Sequence, residues 1–168
     1  NGKDYISFYI STNVGEPPKS LPKIASGGEL SRMMLALKTI FSSKSQITSI
    51  IFDEVDTGVS GRVAQAIAEK IANISLNSQV LCISHLPQVA AMADQHYLIS
   101  KQVDHNRTFT TVEKIEEEKR VEEISRMMSG TEITELTLQH ARELLQLATE
   151  KKHTIKSQLA SQFKVPAE

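Results

Sequence analysis

The stretch that most constrains this chain is Ile50-Ile51-Phe52-Asp53-Glu54-Val55-Asp56, in which three apolar residues run into a cluster of three acids. An apolar run this short and this β-prone reads as a buried strand of a parallel sheet. A strand that ends in Asp-Glu sets two acids at the carboxyl edge of the sheet, where open α/β folds bind ligands. Adjacent carboxylates repel each other and cost desolvation unless a cation or a reaction uses them. Magnesium suits such a place, because it is commonly held by one or two carboxylates together with phosphate oxygens. The residues therefore fit a nucleotide-phosphate site, with Asp53 near the metal and Glu54 placed to activate water. They also fit a strand that ends in a solvated acidic turn.

Two neighbouring segments bear on that choice. Ahead of the strand stands Ser26-Gly27-Gly28-Glu29-Leu30-Ser31, and behind it Leu30, Met33, Met34, Leu37, Ile40 and Phe41 share one helical face, predicting a helix over about 28–41. Ser26 with Glu29 has the form of a capping box. That form leaves Gly27-Gly28 unexplained, since glycine in a helix costs about 1 kcal/mol relative to alanine. Glycine is useful where a backbone must approach a ligand closely, and bare N–H groups at a helix start suit a phosphate. After the strand, Thr57 to Gly61 forms a turn, and Val63, Ile67, Ile71 and Ile74 mark a helix over about 60–74. Gln79 to Ile83 then reads as a second buried strand, completing a right-handed βαβ unit. It ends in Ser84-His85-Leu86-Pro87, which puts His85 at the same edge as Asp53 and Glu54, with Pro87 opening a short helix over 88–93.

The remainder frames this unit. Tyr5 to Ile10 is strand-like, and the Gly/Pro-rich segment Val14 to Pro22 reads as loop. Tyr97 to Gln102 and Thr108 to Ile115 form a hairpin around Asp104-His105-Asn106. Glu116 to Arg120 reads as a solvated helix start, leading into a helix with Val121, Ile124, Met127 and Met128 that stops at Gly130. Thr131 caps a last helix over about 132–152, with Leu136, Ala141, Leu144, Leu145 and Ala148 as its apolar stripe. His140 and His153 lack a metal-ligand partner at helical spacing and read as surface. A body over 1–155 and a flexible tail over 156–168 follow. The expected class is α/β: a mainly parallel sheet flanked by helices, plus a β-hairpin and carboxyl-terminal helices.

Composition narrows the function. A net charge of −1 over 168 residues is no electrostatic trap for nucleic acid. The single cysteine, Cys82, sits in an apolar run, which excludes a disulfide framework, fits a reducing cytoplasm and makes it a packing residue. No stretch is apolar enough to cross a membrane, and no signal peptide is present. The chain opens on Asn1-Gly2 just ahead of a strand-like segment, as a piece of a longer protein would.

Taken in order, Ser26 to Ser31, Ile50 to Asp56 and Ser84-His85 resemble the signature motif, the Walker B strand with its catalytic glutamate, and the switch histidine of ABC-type ATPase heads, with Asp56 and the following turn resembling the D-loop. Local wording narrows the resemblance, over about residues 4–145, to the RecN family of SMC-like bacterial repair ATPases: Ile10 to Asn13 with Gly15-Glu16-Pro17, Ala25 to Ser31, Asp53 to Gly61, and Ile83 to Val89. The resemblance implies a carboxyl-terminal lobe of an ABC-type P-loop ATPase head acting in double-strand break repair and recombination, cytoplasmic and nucleoid-associated. It implies ATP and Mg²⁺ as cofactors, with Asp53 at the metal, Glu54 and His85 catalytic, and Ser26, Gly27, Gly28, Glu29, Asp56 and Gly58 on the nucleotide. It implies as partners the amino-terminal half of the same head, a second copy paired through the ATP sites, and DNA for the whole protein. No Gly-x-x-x-x-Gly-Lys-[Ser/Thr] loop is present, so the chain by itself is expected to bind ATP poorly and not to turn it over. Two other readings fit: a non-enzymatic dimerisation or assembly module, and a head fragment of another SMC- or RecF-like protein.

Overall fold

The structure is a computed structural model and describes residues 2–11, 14–21, 27–41, 48–104, 107–130 and 132–162. Its first two strands, β1 (Tyr9–Ile10) and β2 (Lys19–Ser20), form a small antiparallel ladder. The strand expected over 5–10 is thus two residues long, and a partner strand lies in the segment read as loop. Lys19 and Ser20 carry no β pattern of their own, so the pairing across the turn makes this strand. Helix α1 (Gly27–Phe41) follows, then β3 (Ser49–Phe52), α2 (Gly61–Ile74) and β4 (Gln79–Cys82). β3 and β4 pair in parallel, Ile50 opposite Val80 and Phe52 opposite Cys82, with α2 as the crossover. This is the βαβ unit that the spacing predicts.

Helix α3 (Pro87–Met92) starts on Pro87, whose missing N–H costs nothing at a helix start. The hairpin is longer than expected: β5 (His96–Asp104) pairs with β6 (Arg107–Ile115) along both strands. Its tip, His105 and Asn106, lies outside the described residues, as does Thr131. Helices α4 (Glu117–Ser129) and α5 (Glu135–Gln162) close the chain. α5 overruns the flexible tail expected from residue 156 and stays helical to Gln162. Its last turns still carry apolar Ile155, which packs on the core.

One core joins these elements. Phe52 and Val55 from the β3 edge meet Ile67, Ala68, Ala72 and Ile74 of α2, Val89 and Met92 of α3, Val121 and Ile124 of α4, and Ala141 and Ala148 of α5. Each large aliphatic side chain so buried contributes about 1.5–3 kcal/mol relative to an exposed one. The class is α/β, as the sequence predicts, but the parallel sheet amounts to two strands among the described residues. It is covered on one face only. Phe52 is buried and Ile50, Val80 and Cys82 pack on the core, while Ile51 (68% exposed), Leu81 and Ile83 point out on the other side. α1 departs from expectation in the same way. Leu35 is its core residue, whereas Leu30, Met34 and Ile40 from the expected apolar face are exposed. Among the described residues, no helix is long and apolar enough to cross a membrane.

Candidate functional site

The ends of β3 and β4 and the start of α1 meet at one edge. β3 stops at Phe52, and the chain enters a turn in which Thr57 N donates to Glu54 O at 3.2 Å. Asp53 and Glu54 are both exposed at this point. Glu54 takes φ 56°, the left-handed region that non-glycine residues adopt only where the surroundings enforce it. The next two residues, Val55 and Asp56, are buried.

Asp56 is 1% exposed and points inward, across to β4. Its Oδ2 accepts a hydrogen bond from Ser84 Oγ at 2.5 Å and another from the His85 backbone N–H at 3.1 Å. Ser84 Oγ in turn accepts from Leu86 N–H at 3.0 Å. His85 Nδ1 lies 3.5 Å from the same Oδ2, while the imidazole is 70% exposed and open to a ligand. Asp56 therefore ties the end of β3 to the end of β4 and sets the backbone that carries His85. The carboxyl group of Asp56, which the resemblance puts on the nucleotide and across a dimer interface, is here turned into its own chain. Its partner Ser84 is 28 residues away, and no local pattern announces the pair.

α1 reaches the same edge. Ser31 Oγ stands 3.4 Å from Asp53 O, and Arg32 Nη1 donates to Thr57 O at 2.8 Å. A methyl group placed on Gly27 would sit 3.8 Å from Glu54 Oε2, so the first residue of α1 and the acid share one small space. Gly28 is buried. A Cβ there would meet Thr57 O at 3.1 Å and Thr57 Cβ at 3.2 Å. Its lack of a side chain is explained by the approach of Thr57. Glu29 stands in the first turn of α1, and Gly58 lies on the turn at φ 71° with open space around it. Ser26 lies outside the described residues.

Among the described residues, no three possible ligands cluster to hold a metal by themselves. Adjacent exposed Asp53 and Glu54 fit Mg²⁺ only as part of a shell completed by phosphate oxygens and water. Cys82 lies under this edge. Burial pushes its thiol up to about 12, with Asp56 and Asp53 adding to the shift, so it stays protonated and serves packing, as its apolar run predicts.

One residue that bears on the edge escapes the sequence reading. Arg120, placed there in a solvated helix start, runs inward to the carbonyls at the end of α3. A signal existed: Arg120 stands four residues before Ile124 and seven before Met127, on the apolar face of α4.

No protein-family model matches the chain. Curated relatives do. The DNA repair protein RecN of Halalkalibacterium halodurans is 67% identical over 149 residues, covering 89% of this chain and 26% of that protein. Its namesake in Bacillus subtilis is 63% identical over 153 residues, 91% of this chain and 27% of the relative. That of Vibrio cholerae is 43% identical over 144 residues, 86% and 26% respectively. The chain thus spans about a quarter of the length of the curated relatives it matches. Identity at this level, over nearly all of the chain, goes well beyond a shared fold: across the part of those proteins that it spans, the chain belongs to the RecN family of DNA repair proteins.

Proposed function

We propose that this chain supplies half of an ATP-hydrolysing site in an SMC-like, ABC-type head, and that the whole protein uses it in the repair of DNA double-strand breaks. The observation that carries the reading is the convergence, at the carboxyl edge of β3–β4, of exposed Asp53 and Glu54, the exposed His85 imidazole and the start of α1. Each group has a part in phosphoryl transfer to water. Asp53 would help to hold Mg²⁺, which when bound would neutralise charge on the phosphates. Glu54 takes or orients the attacking water, held outward by its left-handed backbone. His85 donates a hydrogen bond to a phosphate oxygen. Gly27, Glu29 and Gly58, with Ser26 ahead of the helix, belong to the rim that meets nucleotide. The site is incomplete in this chain, and its Walker A loop comes from the amino-terminal half of the head. A second copy pairs with it through ATP, DNA is engaged by the whole protein, and the place of work is the cytoplasm at the nucleoid.

The test is ATP turnover by the full-length protein with Glu54 intact and with Glu54→Gln. Losing a positioned acid–base group costs about 10²–10⁴-fold in rate. A loss of that size, with ATP binding retained and paired heads accumulating, is the expected result. Equal turnover by both proteins, or none by either, overturns the ATPase reading and leaves the assembly module.

A further inference from the structure

The segment that carries His85 is held from behind. α3 begins two residues after His85 and is six residues long, too short to persist on its own hydrogen bonds. Its far end is gathered by one side chain. Arg120 Nη2, from α4, donates to the carbonyls of Ala90 at 3.1 Å, Ala91 at 2.9 Å and Ala93 at 2.7 Å. Lys152, from α5, adds a hydrogen bond to Ala93 O at 3.4 Å and an ion pair with Asp94 at 3.0 Å. Two cations thus sit at the end of a helix where unsatisfied carbonyls gather negative charge. Arg120 occupies that place at a cost. Its Nε is buried without a partner among the described residues, and burial pulls its guanidinium below the usual arginine range. A cap needed for the helix alone could sit in water, so the buried placement calls for a second reason.

Geometry supplies one. The near end of α3 is tied to Asp56 through Ser84, and its inward face, Val89, Ala91 and Met92, is locked in the core. Once Arg120 fixes the far end, the segment from Ser84 to Ala93 has little freedom left, and His85 stands on its free edge. We infer that Arg120 is a positioning residue of the ATP site, setting His85 by clamping α3 and coupling α4 to the sheet edge. This deepens the ATPase reading above and rests on it.

The experiment uses the full-length protein in four forms: Arg120→Met, Arg120→Lys, His85→Ala and the double variant Arg120→Met/His85→Ala. Small misplacements of a positioned group cost up to about 100-fold in rate, so Arg120→Met is expected to lower kcat about 10- to 100-fold with KM for ATP nearly unchanged. Arg120→Lys should restore part of it, and it is also the variant to read if Arg120→Met does not fold. In the His85→Ala background, Arg120→Met should cost no further kcat, because its effect passes through the imidazole. Hydrogen exchange supplies a readout independent of turnover. The amides of Val89 and Ala90, bonded to Leu86 O, should exchange faster in Arg120→Met. Unchanged kcat with unchanged exchange over residues 84–93 overturns the inference, and so do losses that multiply in the double variant, the mark of a merely structural role. Faster exchange in a protein whose turnover also ignores Glu54→Gln would sink the ATPase reading while leaving the clamp on α3 standing.

Discussion

Gly28 shows how one residue type can serve two different ends. Glycine at a helix start beside acids invites a ligand, yet this glycine is buried, with Thr57 O 3.1 Å from where a Cβ would stand. Arg32 Nη1, also 3.1 Å away, can swing aside, but the Thr57 carbonyl is backbone and can move only with its turn. Gly28→Ala must shift α1 or the Thr57 turn by a few tenths of an ångström, and overpacking costs about 1–3 kcal/mol, against which the better helix propensity of alanine returns up to about 1 kcal/mol. Urea denaturation of this chain measures it directly. A glycine kept only for approach to phosphate would gain up to about 1 kcal/mol of stability on substitution, so a raised midpoint would return Gly28 to the ligand side. Gly27, one residue earlier, is exposed, and a Cβ there would stand 3.8 Å from Glu54 Oε2.

At the scale of elements, the joint between β3 and β4 decides where the site residues stand. Parallel pairing brings the two strand ends together, but it is Asp56 that fastens them, accepting from Ser84 Oγ and from His85 N–H while almost wholly buried. Asp56→Ala leaves both donors unpaired inside the protein, at about 1–3 kcal/mol. The isolated chain should lose that much stability, and the His85 amide should exchange faster. A residue working only across a dimer interface would show neither change in the isolated chain. Much of this level was legible beforehand. The strand–acid–turn pattern, α2 and the strand–Ser-His–Pro pattern carry their own periodicity and punctuation, so β3, α2, β4 and α3 fall within a residue or two of expectation. The rest depends on partners far along the chain. Lys19-Ser20 becomes a strand only because Tyr9-Ile10 lies beside it, and Asp56 turns inward only because Ser84 waits 28 residues on. The buried side of α1 follows Leu35 rather than the broader apolar face, because the neighbours α1 has in this chain reach only that side.

For the whole molecule, the apolar surface left open is itself informative. Parallel sheets are found with both faces covered, yet here Ile51, Leu81 and Ile83 are exposed opposite the core. α1 adds Leu30, Met34 and Ile40, and one face of the hairpin adds Tyr97, Ile99, Val103 and Val112, which the register sets on a common side. Apolar side chains exposed together on one face of a sheet mark an interface or an aggregation hazard. The ATPase reading names the occupant, since the amino-terminal half of the head must bring its phosphate-binding loop to the same sheet edge. The isolated chain should therefore associate as its concentration rises in sedimentation equilibrium. Ile51→Thr together with Leu81→Thr, both on the open face, should weaken that association without lowering stability by more than about 1 kcal/mol, since β-branched threonine keeps the strand propensity. Co-expression with the amino-terminal segment of the full-length protein should give a one-to-one complex that no longer self-associates. A chain that stays monomeric at high concentration and ignores that segment would mean that the open face is a surface in its own right, and the head assembly proposed for it would fail.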